Sequence, residues 1–155
     1  MFAWWIVAAA QRAGRRDVVA GIVTRLLDRA YARTDARDPE PSGNLPGAAS
    51  EYWPPPERKP GAECYGWGAW TAHLLVAYLC GVEPAAGDGR KLRVAPALSE
   101  AWPGRRFTVG LRNVTAGGRP ADLWFENDGK QLELQVSPPW RVKAVGEEVW
   151  EVHPE

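Results

Sequence analysis

The chain reads as an α+β protein: a helical first part, residues 1–87, followed by a small antiparallel β-domain, residues 88–155. Three observations predict this. Apolar residues recur at i, i+3 and i+4 through residues 2–32 and again through 65–80. Past Gly87-Asp88-Gly89 the pattern changes to strict alternation, and Asn127-Asp128-Gly129 falls between two alternating segments as a hairpin signal.

Composition bounds the rest. A chain of 155 residues, 45% apolar and 25% charged, can hold one domain with a real core or two smaller pieces. Nineteen basic and nineteen acidic side chains cancel, which argues against nucleic acid or an anionic membrane as a partner. Nine tryptophans are the unusual count. They suit a core, and beside prolines and glycines they also suit a carbohydrate surface.

Taken in order, residues 2–13 form a helix that Gly14 stops. Phe2, Trp4, Trp5, Ile6, Val7 and the alanines make it apolar nearly all round, so burial is expected. Asp17 is placed to cap a second helix, Val18 to about Ala32, whose inward positions are Val19, Ile22, Val23, Leu26, Leu27 and Ala30. Arg15, Arg16, Arg25, Arg29 and Arg33 read as a solvated face. Met1 to Ala10 has no positive leading region and is too short to span a bilayer, so neither a signal peptide nor a membrane segment is expected.

Residues 34–63 lack periodicity and are rich in Pro, Gly, Ser, Asp and Ala. Loops of that length inside a compact domain are uncommon, and this one carries Glu51-Tyr52-Trp53 ahead of Pro54-Pro55-Pro56. A third helix is expected from Tyr65 to Cys80, with Trp67, Trp70, Leu74, Leu75, Tyr78 and Leu79 on its apolar face and Gly81 ending it. That helix would hold Cys64 and Cys80 about 24 Å apart at ~1.5 Å per residue, beyond the ~7 Å reach of a disulfide. Both therefore read as free thiols, favouring a reducing, cytoplasmic compartment. Strands are expected at 91–94, 106–114, 121–126, 131–136, 140–145 and 148–152, with a type I′ turn at Asn127-Asp128-Gly129 and another turn at Val145-Gly146-Glu147.

The chemistry concentrates at Glu51. A carboxylate beside aromatic rings suits a sugar, whose ring faces are apolar and whose glycosidic bond breaks with acid–base help. Bland readings stand beside it: Glu51 as a loop carboxylate, Trp4, Trp5 and Trp70 as core, His73 as an ordinary helical histidine, and Glu63 as a dipole partner. No His/Cys/Asp cluster has metal spacing and no glycine loop follows a phosphate-binding motif, so neither metal nor cofactor is expected.

The order of elements, with Glu51, Tyr52, Trp53 and Pro54, then Gly61, then Tyr65-Gly66-Trp67 opening a helix, resembles the last hairpins of the (α/α)6-barrel inverting glycoside hydrolases. These are the family 63 enzymes, such as processing α-glucosidases and mannosylglycerate hydrolases, with trehalases as relatives. Leu92-Arg93-Val94-Ala95-Pro96-Ala97-Leu98, with Trp102 beyond, looks like the start of the β-domain closing many such enzymes and their glycogen-debranching-like relatives. The resemblance implies the C-terminal helices of an incomplete (α/α)6 toroid, an oligosaccharide or glycoside substrate, and a C-terminal fragment of a longer enzyme. It makes Glu51 the general base that activates water, with Tyr52, Trp53, Tyr65 and Trp67 binding sugar. The general acid would come from an upstream barrel segment, a carboxyl roughly 6.5–9.5 Å away across the sugar. Two other readings remain: a non-catalytic carbohydrate-binding module using tryptophans, and helices that pack on a partner chain.

Overall fold

The computed structural model describes residues 2–32 and 69–155 of the chain, which divides into two compact units, Met1–Leu75 and Val76–Glu155. It is a mixed α+β structure in which helices lead and two antiparallel sheets follow.

In the first unit, α1 (Phe2–Arg12) and α2 (Arg16–Ala32) pack as a hairpin. The turn between them is made by backbone chemistry. Gly14 takes a left-handed φ of 68°, its N–H donates to the Gln11 carbonyl (3.1 Å), and Arg15 N–H donates to the Ala10 carbonyl (2.9 Å). These two bonds complete a Schellman motif, which satisfies carbonyls that a helix end leaves open. Val7 and Ala10 of α1 and Val19, Ala20 and Val23 of α2 are buried.

Two expectations fail here. The first is burial of α1 on all sides: Trp5 is 61% and Ile6 52% exposed, and α2, which packs against α1 among the described residues, covers one stripe of it. The second is the Asp17 cap. Helix α2 begins two residues earlier than expected, at Arg16, and Asp17 lies inside its first turn, gripped by Arg15 through Nε–Oδ1 (2.9 Å) and Nη2–Oδ2 (2.7 Å).

The third helix is described from α3 (Ala69–His73), which passes directly into a π-helical stretch, Leu74–Leu79. The buried leucines of that stretch, Leu74 and Leu79, are five residues apart, matching the i→i+5 step of a π-helix. A periodicity of 3.6 does not anticipate this.

The second unit contains β1 (Val82–Ala85), β2 (Asp88–Val94), α4 (Leu98–Ala101), β3 (Arg106–Ala116), β4 (Arg119–Asp128), β5 (Leu132–Val136), β6 (Trp140–Gly146) and β7 (Val149–Pro154). One sheet has the order β1-β2-β7-β6 and the other β3-β4-β5, with every pairing antiparallel. Alternation puts Leu123, Phe125 and Asn127 of β4 inside and Trp124 and Glu126 outside. Leu92, Val94, Trp150 and Val152 of the first sheet and Leu123, Phe125, Leu132 and Leu134 of the second are buried, as is Leu98 of α4. Burying each such side chain contributes about 1.5–3 kcal/mol.

The sheet begins earlier than the expected boundary at residue 88. Val82 pairs with Val94 and Glu83 with Arg93, so β1 belongs to the β-unit. Strand β1 accommodates Pro84 because it is an edge, where the missing N–H costs nothing in the ladder.

The expected type I′ turn at Asn127-Asp128-Gly129 is also not what forms. Of those residues only Gly129 has positive φ (97°), and Asn127 pairs with Leu132 across a four-residue loop. Side chains shape that loop: Asp128 Oδ1 accepts from Lys130 N–H (2.8 Å) and Gln131 N–H (2.9 Å), and Asn127 Oδ1 from Gly129 N–H (2.7 Å). Short Asx side chains imitate a backbone turn in this way. The two-residue turn with positive φ at both centres is instead Gly117-Gly118 (54° and 76°), joining β3 to β4. The turn between β6 and β7 runs through Glu147 and Glu148, with Gly146 paired to Val149.

Candidate functional site

The residues singled out for sugar chemistry, Glu51, Tyr52, Trp53, Tyr65 and Trp67, lie outside the described residues, as does Cys64. What the structure contributes is their frame and the surfaces of the described parts. Residue 32 ends α2 and residue 69 begins α3, so the Glu51 segment connects two helices of the first unit.

Among the described tryptophans, roles separate by burial. Trp140 and Trp150 are core residues of the β-unit, and Trp140 Nε1 donates to the Pro120 carbonyl at 2.8 Å. Trp102 meets Phe107 edge-on, with centroids 5.3 Å apart. Trp5 is the exposed indole, set against Trp4 at 4.6 Å and 76°. Trp124 occupies the outer face of the three-stranded sheet, where Gly110 opposite leaves room for its ring: a Cβ there would lie 3.3 Å from Trp124 Cδ1.

Among the described residues, two concavities of the β-unit stand out. The larger, about 550 Å³, lies between β5 and the β6–β7 hairpin, with Leu132, Leu134 and Trp150 below and Glu133, Glu147 and Glu148 around it. Ser99 Oγ donates to Glu148 Oε1 at 2.7 Å and so orients that carboxylate, while the Glu148 backbone is left-handed (φ 48°). A non-glycine residue in that region is uncommon. The smaller, about 380 Å³, is lined by Arg106, Phe107, Thr108, Glu126, Asn127 and Asp128.

The sequence reading missed the larger cavity. Its parts come from segments some fifteen residues apart that only sheet packing brings together, although the Leu132/Leu134 alternation and the Glu147-Glu148 pair are visible in the chain.

Among the described titratable groups, the clear shifts have local causes. The Arg15 hydrogen bonds hold the Asp17 carboxyl down at about 2. Asp88 is lowered chiefly by the backbone N–H of Arg90, and Asp128 by the N–H groups of Gln131 and Lys130. Burial pushes the Cys80 thiol up to about 12, which makes it an unreactive core residue. Among the described residues no cluster of His, Cys, Asp and Glu could hold a metal ion, and no helix is long and apolar enough to cross a membrane.

No family model matches this chain, and no curated protein or solved structure matches it.

Proposed function

We propose that this chain forms the C-terminal portion of a cytoplasmic inverting glycoside hydrolase acting on an α-glycoside, with Glu51 as the base. Its helices would be the last hairpins of an (α/α)6 barrel. The observation that carries the reading is the Glu51-Tyr52-Trp53-Pro54 segment followed by Tyr65-Gly66-Trp67 at the entry to a helix, with a β-unit after it.

The ionised Glu51 carboxylate takes a proton from water as that water attacks the anomeric carbon. An acid from the upstream barrel segment protonates the departing oxygen on the opposite face. Tyr52, Trp53, Tyr65 and Trp67 hold the sugar by its apolar face. No metal or cofactor is needed for these proton transfers.

The test joins this chain to its upstream barrel segment and follows hydrolysis of α-linked oligosaccharides by NMR, which also reads the anomer released. Inverted product is expected, and Glu51→Gln should lower kcat by at least about 10²-fold, the lower range of general-base contributions. Undiminished turnover in Glu51→Gln, or a retained anomer, would end this assignment.

A second reading, non-catalytic carbohydrate binding, is favoured by the exposed Trp5 indole beside Trp4. It requires oligosaccharide to quench tryptophan fluorescence in the chain alone, with Trp5→Ala removing the response and Glu51→Gln leaving it intact.

A further inference from the structure

Alternation puts Thr108 and Gly110 of β3, Trp124 and Glu126 of β4, and Glu133 and Gln135 of β5 on the outer face of the three-stranded sheet. Register sets them in two rows across the strands. One row is Gly110–Trp124–Gln135, and the next is Thr108–Glu126–Glu133. Every member is exposed except Trp124, which is half-buried. Trp124 is also the single large apolar side chain in the two rows.

Its own sheet covers one side of the ring. A Cβ at Gly110 would lie 3.3 Å from Trp124 Cδ1 and 3.5 Å from Nε1, so the pyrrole side of the indole lies across the glycine, where a side chain would crowd it. An aromatic ring laid over a glycine of an edge strand shields that backbone, which accounts for the covered side. The other side has no such account: among the described residues no second ring packs on Trp124. Polar groups flank it instead. Gln135 Nε2 donates to Glu126 Oε2 at 3.0 Å, which holds an amide and a carboxylate together beside the indole. Thr108 and Glu126 also line the concavity of about 380 Å³, so the face continues into a hollow.

We propose that this face binds a neutral oligosaccharide, with one pyranose ring stacked on Trp124 and the next reaching toward Thr108 and Glu126. An indole set among planar hydrogen-bonding groups matches a sugar ring, apolar on its face and hydroxylated at its rim. The Gln135 amide and Thr108 hydroxyl donate and accept, and the Glu126 and Glu133 carboxylates accept from sugar hydroxyls. Charge narrows the ligand. Glu126 and Glu133 lie directly opposite each other, so a phosphate, a nucleic acid or a sulfated glycan meets repulsion. A protein or lipid surface needs more apolar area than one indole supplies. This inference is independent of Glu51 and of Trp5.

The full chain is titrated with maltohexaose and, separately, with cellohexaose, and followed by indole and amide NMR shifts. Saturable shifts are expected at the Trp124 indole N–H, assigned by its loss in Trp124→Phe, and at the Gly110 and Gln135 amides. Added salt should leave the affinity unchanged, because the ligand carries no charge. Trp124→Ala should weaken binding about tenfold or more, and Trp124→Phe, which keeps a ring, by less. Gln135→Ala should weaken it about threefold or more through the lost hydrogen bond. That residue is exposed, so the variant folds and reads the site even where Trp124→Ala, by uncovering Gly110, does not. Trp5→Ala and Glu51→Gln should leave these shifts in place, which separates this face from both readings of function given above.

Absence of saturable shifts at residues 110, 124 and 135 with both glycans would overturn the proposal, as would undiminished affinity in Gln135→Ala. So would shifts at those residues produced by spermine but by neither glycan, which would make the face a cation site.

Discussion

At the residue scale, single atoms decide where the chain can turn. Gly81 ends the π-helical stretch with φ 64°, and a Cβ there would overlap the Ala95 carbonyl oxygen and carbon. The same backbone is committed to pairing: Ala95 N–H donates to the Gly81 carbonyl and Ala97 N–H to the Leu79 carbonyl, both at 2.9 Å. Neither the chain direction nor the neighbour can yield cheaply. Gly81→Ala should therefore cost at least about 2 kcal/mol, combining the left-handed penalty with the overlap. Gly21 in α2 is the contrasting case, with nothing within 4 Å of its Cβ position. Gly21→Ala should stabilise the chain by up to about 1 kcal/mol, since it removes only the entropic cost of a helical glycine. Urea denaturation of the two variants checks the signs. The sequence marked Gly81 as a stop, but only the approach of Ala95 makes it irreplaceable.

At the element scale, the start of α2 shows how a correct helix can have a misread end. An aspartate ahead of an apolar run suggests a cap, yet Asp17 sits within the first turn and is held by Arg15. Its charge there still complements the positive end of the helix. Because its pKa falls to about 2 on folding, from an ordinary value of about 3.9, the folded state holds this proton less tightly than the unfolded state does. The stabilisation is fully present above pH ~4 and is lost as pH falls through about 2. Carbon NMR of the Asp17 carboxyl should show the depressed midpoint, and Asp17→Asn should remove the part of the acid response belonging to α2. The hairpin β4–β5 teaches the same lesson. A turn at Asp128-Gly129 was legible from composition, while its type depended on where the Asn127 and Asp128 side chains found N–H partners.

At the scale of the whole molecule, two compact units along one chain make a single cooperative transition an assumption to be tested. Phe125 is the largest fully buried side chain among the described residues. Phe125→Ala should cost about 3–5 kcal/mol through lost burial and the cavity left behind. If the units unfold separately, only the transition read by Trp140 and Trp150 should move, while the far-UV helical signal keeps its midpoint. If both signals move together, the units unfold as one.

The chain by itself determined the helix-then-sheet order, the six longer strands, the Gly14 stop and the segment in which Glu51 is proposed to act. Those features arise from local periodicity and from residues with special backbone preferences, which act within a few positions. Tertiary structure alone decided that α1 leaves Trp5 in solvent, that Pro84 sits in a strand, and that β5 faces an open cleft. Each of these depends on which element happens to lie alongside, and a one-dimensional pattern carries no information about the neighbour that packing supplies.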